Sequence, residues 1–434
     1  MSKFLFVSYE GLIADTAWQV QREGHEAKLQ ILSAGEQDIA DGFVAKAKDW
    51  RKEIDWADVV VFDDVLGGMG SMADEVRARG KPAGKPHVVG GSPYTDRLEE
   101  DRAFGQQELK AAGVAIIPQE NFTSFDEAIA YVQANPTRYV LKPSGEAQND
   151  KRLLFVGEEE DGRDVIGVLR DYKQHLADKV KEFQLQRRIV GVEVAVCAFF
   201  NGKEFLTPIC VNFEHKKLFP GDIGPATGEM GTTMFWSEPN RLFNATLKKM
   251  EAKLAEARFA GSIDVNCIVN SNGIYPLEFT PRFGYPAISI QQEGLLTPIG
   301  ELLRGIADGT LAKLRARSGF QVGVRVVVPP FPYSDKRTFE STSKDSAILF
   351  KTPGREGVHI EEVKQVDGEW RVAGASGVVL VVCGSGPTMK QAQRQAYNRV
   401  RNVMIPYMYY RDDIGERWSE DSDRLHAWGY LREA

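Results

Sequence analysis

Residues 262–284 read "SIDVNCIVNSNGIYPLEFTPRFG". Two largely apolar runs flank a polar turn, the pattern of a β-hairpin. Side chains alternate faces along a strand, so Asp264, Asn266 and Ile268 share one face and Ile263, Val265, Cys267 and Val269 the other. In the second run Ile274, Pro276, Glu278 and Thr280 share a face. A loop centred on Asn272 places Asn266 opposite Glu278 and Asp264 opposite Thr280. That register needs an odd-numbered loop, because a two-residue Asn-Gly turn would slip it by one and turn Asn266 to the wrong face. In this register, carboxylate and amide oxygens converge from neighbouring strands. Such hard oxygens suit Mg2+ shared with substrate phosphates. Glu278, Asn266 and Asp264 are therefore candidate metal ligands, and the alternative is a hairpin with one polar, solvated face. Arg282 follows four residues after Glu278. It either clamps a phosphate or carboxylate bidentately or pairs with Glu278 itself.

Other candidates lie upstream. Lys142 ends an apolar strand just before Ser144 and the polar loop "PSGEAQNDK". A Lys aimed out of a strand can hold nucleotide phosphates, and a surface lysine is the alternative. Glu193 stands alone in "VGVEVAV". It needs a cation or a hydrogen-bond donor such as a ribose, unless it faces water on an edge strand. His215 is followed by Lys216 and Lys217, which suits either an anion site or a solvated basic patch. Then comes "GDIGPATGEMG", residues 221–231, where Asp222, Thr227 and Glu229 are the polar groups among the glycines.

Around these motifs the first ninety residues alternate strands ("KFLFVS", "HEAKLQIL", "ADVVVFDD", "PHVVGG") with helices ("ADTAWQVQRE", "SMADEVRARG"), a βαβ rhythm that implies a small, mostly parallel sheet. "RLEEDRAFGQQELKAAG" reads as one linking helix. From about Ile116 the pattern becomes α+β, with strands at "RYVLKPS" and "RLLFVGE", a hairpin turn at Asn201-Gly202, and one long helix over "RLFNATLKKMEAKLAEARF". A third, strand-rich segment begins near Gln321. The divisions are an α/β unit at 1–95, a two-lobed α+β unit at 96–320 with a hinge near 184–190, and a β-rich unit at 321–434.

The net charge of −7 over 434 residues disfavours nonspecific nucleic-acid binding. None of the four cysteines forms a CxxC pair, so buried free thiols and a reducing, cytoplasmic setting are expected. The start reads as no signal peptide, and no apolar run approaches the ~18 residues of a membrane span.

Together these pieces resemble the ATP-grasp superfamily, and within it the phosphoribosylamine-glycine ligases (glycinamide ribonucleotide synthetases). The resemblance rests on "EHKKLFPGDIGPATGEMG", "PLEFTPRFGYP" and "RDDIG", which match the family's DHKR, GDTGPNTGGMG and LEFNxRFGDPE motifs in order and spacing. It implies an N-terminal pre-ATP-grasp (Rossmann-like) domain, two ATP-grasp lobes and a small C-terminal β-rich domain. It implies an ATP-dependent ligase that joins a small-molecule carboxylate to an amine through an acylphosphate, with Mg2+ (or Mn2+). A monomer or homodimer is expected. By position, Glu278 matches the metal-binding Glu and Asn266 the ligand of the preceding strand, with Asp264 as rival. Lys142 and Ser144 match the phosphate end of the first lobe. Gln186, Arg187 and Ile189 match the adenine hinge, and Glu193 the ribose-binding Glu. His215, Lys216, Asp222, Pro225 and Thr227 match the segment around the amino-acid substrate, and Arg282 an Arg near the acyl group. Catalytic roles are implied for Arg282, Asp222 and Lys142.

The departures are equally specific. The metal strand reads "EFT", with Thr280 in place of Asn. GDPE becomes Gly284-Tyr285-Pro286-Ala287, the acidic hinge becomes "QRR", and a Lys of the linking helix becomes Arg102. Glu229 replaces a glycine, and as a substrate-side residue it is expected to narrow or recharge the acceptor side of the pocket, with a solvent-exposed glutamate as the alternative. The family's phosphate-binding GxGGREH turn is replaced by "SYEGLIADTA", with a carboxylate at Glu10 and no basic residue. A phosphate is therefore not expected there, and the amine acceptor is expected to differ from that of the family.

Overall fold

The N-terminal run Lys3–Ser8 is the middle strand of a five-stranded parallel sheet in a computed structural model that describes residues 1–79 and 86–432. Glu26–Ile31 and then Ala45–Lys46 lie on one side of it, and Val59–Phe62 and then His87–Val89 on the other. All four residues of Val59–Phe62 are buried, as a strand covered on both faces requires. The chain first builds outward on one side of Lys3–Ser8 and then returns to the other. The carboxyl ends of Lys3–Ser8 and Val59–Phe62 thus frame a crevice at a topological switch point, where open α/β sheets bind ligands. Ser8 Oγ donates to Asp63 Oδ2 across it at 2.7 Å. The helix expected over residues 71–80 is observed as Met69–Arg79, and Gly80 lies outside the described residues.

Two helices that the sequence suggests as continuous are broken. Pro93–Glu100 and Arg102–Ala111 are separated at Asp101, whose side chain leaves the helical path to cap the second helix by accepting from Phe104 N. Downstream, Arg241–Ala245 and Glu251–Glu256 are parted at Thr246, a non-helical residue whose hydroxyl donates back to Leu242 O. Hydrophobic spacing continues through both breaks because it records burial, not hydrogen bonding.

A four-stranded antiparallel sheet follows, ordered Gln119–Phe122, Phe183–Arg187, Tyr139–Pro143, Phe155–Val156. It packs on its own core, which includes Phe125, Val132, Leu141, Leu169 and Leu185. The strand expected from "RLLFVGE" shortens to Phe155–Val156, since Lys151–Leu153 forms a 3-10 turn.

An eight-stranded antiparallel sheet carries the rest. Its order is Gly273–Thr280, Gly261–Asn270, Val192–Phe200, Ile209–Glu214, Gly231–Ser237, Phe320–Val327, Val378–Gly386, Val358–Ile360. The ladder passes residue 321 without interruption, for Gly231–Ser237 pairs directly with Phe320–Val327. A further four-stranded sheet, including Val363–Val366 and Glu369–Val372, completes the C-terminal part. The four cysteines are buried and free.

The hairpin at 261–280 has the expected pairing by an unexpected route. Asn266 faces Glu278 and Asp264 faces Thr280. The turn, however, is tight: Asn270 pairs with Gly273, which on its own gives the slipped register. A β-bulge between Asn266 and Cys267 on one strand, opposite Leu277, restores the alternation. Pro276, which has no N–H for the ladder, sits beside the bulge.

Contacts far apart in sequence dock the N-terminal sheet. Glu23 accepts from Ile299 N and Gly300 N at 2.9 and 2.8 Å, capping the helix Ile299–Asp308 with an anion. Asp15, in the first turn of Ala14–Arg22, accepts from Ile360 N at 3.0 Å and lies 2.7 Å from His359 Nδ1. Burial opposes charge on the His359 ring, but Asp15 and the Cys383 thiol more than offset it and hold its pKa well above the usual value. Asp15→Asn should cost roughly 1–3 kcal/mol near pH 6. The unfolded imidazole titrates at about pH 6.5, so the pair's contribution is complete below that pH and fades as pH rises through the higher folded value. Thermal midpoints of the two proteins should converge towards alkaline pH, and parallel curves would refute the coupling.

Candidate active site

Four adjacent strands of the eight-stranded sheet present polar side chains on one face. Ala195 pairs with Asn266 on one side and Asn212 on the other, a register that brings Glu193 and Glu214 side by side. Like charges opposed across strands repel, and Lys216 sits between them. Its Nζ lies 3.0 Å from Glu193, 3.2 Å from Glu214 and 3.7 Å from Glu278. Asn266 Nδ2 donates to Glu193 Oε1 at 3.0 Å and to Glu214 Oε2 at 3.2 Å. Burial disfavours the Lys216 charge, yet the three carboxylates hold its pKa well above the usual value. Burial likewise raises Glu193, but Lys216 and Asn266 prevail and keep it ionised below the usual range.

Deeper in, the carboxyls are pushed the other way. Burial, then the nearby Glu214 charge, raises Asp264 and Glu229 well above ordinary carboxyl values. Glu214 itself is raised, chiefly by burial. Asp264 hydrogen-bonds Thr280, its neighbour across the hairpin.

Lys142 faces this cluster from the other sheet. It is buried at the end of Tyr139–Pro143, not on the surface, and it senses Arg102, Glu278, Lys216 and Glu193. Burial, then Arg102, pushes its ammonium down to about 8. Arg102 donates to Pro143 O at 3.0 Å. Nearby, Ser144 N donates to Glu182 O at 2.9 Å. At the hinge Gln186 is buried and donates to Gln119 Oε1 at 3.3 Å, Arg187 is exposed, and Ile189 is half-buried.

The donor set suits a hard cation. Asn266 Oδ1 is buried without a partner, directly across the hairpin from Glu278. An amide oxygen and a carboxylate are what Mg2+ takes when substrate phosphates and water complete its shell.

Lys217–Phe219 and Ile223–Ala226 pair as a small hairpin, linked by a turn in which Gly221 and Asp222 have φ of 72° and 56°. A side chain on Gly224 would come within 2.5 Å of the Phe219 ring, and one on Gly231 within 2.6 Å of Gly323 O. Those two glycines therefore make room for protein. Gly221 and Gly228 face open space. Thr227 is fixed to Lys216 O through both its N–H and its hydroxyl, each at 2.8 Å, and Pro225 is half-buried beside it.

Asp222 does not join the cluster around Lys216. It is held by Arg411 at 2.8 Å and Arg417 at 2.7 Å, so the loop is clamped to the C-terminal segment. His215 is buried, with neither ring nitrogen partnered; burial, then Arg417 and Arg411, pushes it down to about 4. His215, Lys216 and Lys217 thus form no solvated basic patch, since Lys216 turns inward and Lys217 outward. Glu229 is buried, against the solvent-exposed alternative, and its Oε1 has no partner. Arg282 pairs with Glu99 at 2.8 Å and Asp64 at 3.7 Å, residues from the linking helix and the N-terminal sheet. Glu214, Glu99 and Asp64 were not singled out from the sequence. The strand pairing alone reveals Glu214.

Comparison with known proteins accords with this geometry. Residues 100–288 match the family model described as phosphoribosylglycinamide synthetase, ATP-grasp (A) domain. A phosphoribosylamine–glycine ligase of Mycobacterium leprae is 27% identical over 425 residues, 93% of this chain and 92% of that one. A phosphoribosylamine–glycine ligase structure from Thermotoga maritima superposes with a TM-score of 0.69 at 21% identity, covering 95% of this chain and 100% of that one. A biotin carboxylase domain of Hydrogenobacter thermophilus 2-oxoglutarate carboxylase, bound to MgADP and bicarbonate, superposes at 0.61 with 12% identity, covering 94% and 91%. The fold is the ATP-grasp fold. Among the described residues no helix is long and apolar enough to cross a membrane.

A nucleotide whose phosphates meet Lys142 should bind less tightly as pH rises through about 8, where the free ammonium loses its proton. The fall should approach tenfold per pH unit, because binding must then take up a proton. Titrations of ATP by calorimetry at neutral and alkaline pH measure this, and Lys142→Met should abolish the slope while weakening binding.

Proposed function

We propose that this ATP-grasp protein is an ATP-dependent carboxylate–amine ligase working through an acylphosphate, and that its amine acceptor is not a phosphorylated sugar. The observation that carries the reading is the meeting of Lys142 from one antiparallel sheet with Glu278, Asn266 and Glu193 from the other. Phosphoryl transfer needs positioned cations and hard oxygens more than covalent help from the protein. Here both are gathered between two sheets.

Lys142 and Lys216 supply positive charge for the nucleotide phosphates, and Glu193 is placed to accept from a ribose. Glu278 and Asn266 would hold Mg2+ or Mn2+, which when bound neutralises charge on the γ-phosphoryl group. The substrate carboxylate oxygen attacks the γ-phosphorus and ADP leaves. The amine nitrogen then attacks the acyl carbon, and phosphate leaves with the C–O bond electrons. Arg282 is anchored by Glu99 and Asp64 where it can orient the acyl group.

The acceptor side supports a changed amine. Gly11 N donates to Ser8 Oγ, and the turn then enters Ala14–Arg22 with Ile13 at the N-cap position and Asp15 in the first turn. A phosphate there would face Glu10 and Asp63 without a basic partner from the turn. The second reading, phosphoribosylamine–glycine ligation itself, is favoured by the match of residues 221–231 to the family loop and by the relatives named above.

With MgATP, a carboxylate panel and hydroxylamine in place of the amine, the protein should release ADP and form a hydroxamate, the product of a trapped acylphosphate. Glu278→Gln should lower that rate by about 100-fold, ~2.7 kcal/mol of barrier. Product from phosphoribosylamine and glycine would establish the second reading. ATP binding without turnover on any carboxylate would instead mark a nucleotide-binding protein that no longer ligates.

A further inference from the structure

The crevice at the switch point of the N-terminal sheet holds more negative charge than the protein balances. Glu10, Glu36, Asp63, Asp64 and Glu99 lie about it; Arg282 attracts Glu10, Asp64 and Glu99, Asp63 lies beside Asp64, and Glu36 beside Glu10. Arg282 is already engaged by Glu99 Oε1 and Asp64. Two buried oxygens remain without partners, Glu99 Oε2 and Asp63 Oδ1. Asp63 lies at the carboxyl end of Val59–Phe62, and its Oδ2 accepts from Ser8 at 2.7 Å and from Tyr285 at 2.8 Å. Tyr285 comes from the segment just after Arg282, so Asp63 faces the crevice between the N-terminal sheet and the ATP-grasp unit. Burial, then the Asp64 charge, lifts Asp63 to about 7. Burial, then Asp64 and Glu36, also raises Glu10, whose tip reaches solvent at the mouth.

Carboxyls crowded in this way either hold protons or take a counter-cation. With no phosphate expected here to complete a metal's shell, and with no three acidic, imidazole or thiol groups converging among the described residues, a metal ion is a poor counter-cation. The carboxyls run from buried Asp63 through half-buried Glu36 to exposed Glu10. An extended cation matches that distribution, with ammonium or guanidinium donors to the separate carboxylates. We propose that this crevice binds an organic amine bearing a second positive charge, a diamine or a guanidino-amine, as the acceptor of the ligation. As an acceptor assignment it rests on the ligase reading above; as a binding site it does not.

The test therefore begins without ATP. Calorimetric titration at low salt with 1,4-diaminobutane, agmatine and n-butylamine should show the two dications binding at least tenfold more tightly than the monoamine. Glu10→Gln, at an exposed position, should remove most of that preference without shifting the thermal midpoint, and Asp64→Asn provides a second variant. Equal binding of butylamine, or preferential binding of ribose 5-phosphate at the same site, would overturn the proposal. The hydroxamate assay separates the two claims. Hydroxamate formation without dication preference sinks this inference and leaves the ligase. Dication binding without acylphosphate chemistry retains the site and sinks the ligase.

Discussion

One ammonium group organises the site. Lys216 Nζ stands between Glu193, Glu214 and Glu278, which come from three different strands, while Asn266 of a fourth bridges two of them. Without that charge the sheet would set Glu193 against Glu214 in a partly desolvated position, an arrangement that is costly unless compensated. With it, the wall separates into two zones. Lys216 holds Glu193 below the usual carboxyl range, whereas burial pushes Asp264 and Glu229 well above it. The protein thus favours negative charge at Glu193 and disfavours it at Asp264 and Glu229.

Much of this was legible in the sequence. The βαβ rhythm gave the parallel sheet, and strand alternation gave the facing of Asn266 and Glu278. The pairing came out as expected although the turn did not. A tight turn and a bulge together have the same effect as the odd loop that alternation requires, and burial of one face selects the sum without selecting the parts. The broken helices at Asp101 and Thr246 were hidden for a related reason: apolar spacing reports which face is buried, and a single capping side chain can interrupt the hydrogen bonds without disturbing it.

Less legible was everything that depends on which strands become neighbours. Glu214 reads as an ordinary strand-end acid until the ladder sets it beside Glu193. Lys142 looks like a surface lysine until a second sheet covers it. Asp222 reads as a substrate contact, but its two arginines come from residues 411 and 417, nearly two hundred positions away. Packing likewise hides the role of Gly224 and Gly231, whose missing side chains admit the Phe219 ring and Gly323 O. Glu229 was recognisable as an anomaly among glycines, but its burial was not.

The unbroken eight-stranded sheet limits how the chain can be divided. Strands Gly231–Ser237 and Phe320–Val327 share a continuous ladder, so the nucleotide-facing half and the C-terminal half are one hydrogen-bonded body despite the composition change near residue 321. A cut there would bare a long strand edge on each fragment, the kind of edge that recruits foreign strands and aggregates. Recombination among proteins of this fold would more safely exchange the first lobe, whose core is its own, than the C-terminal unit.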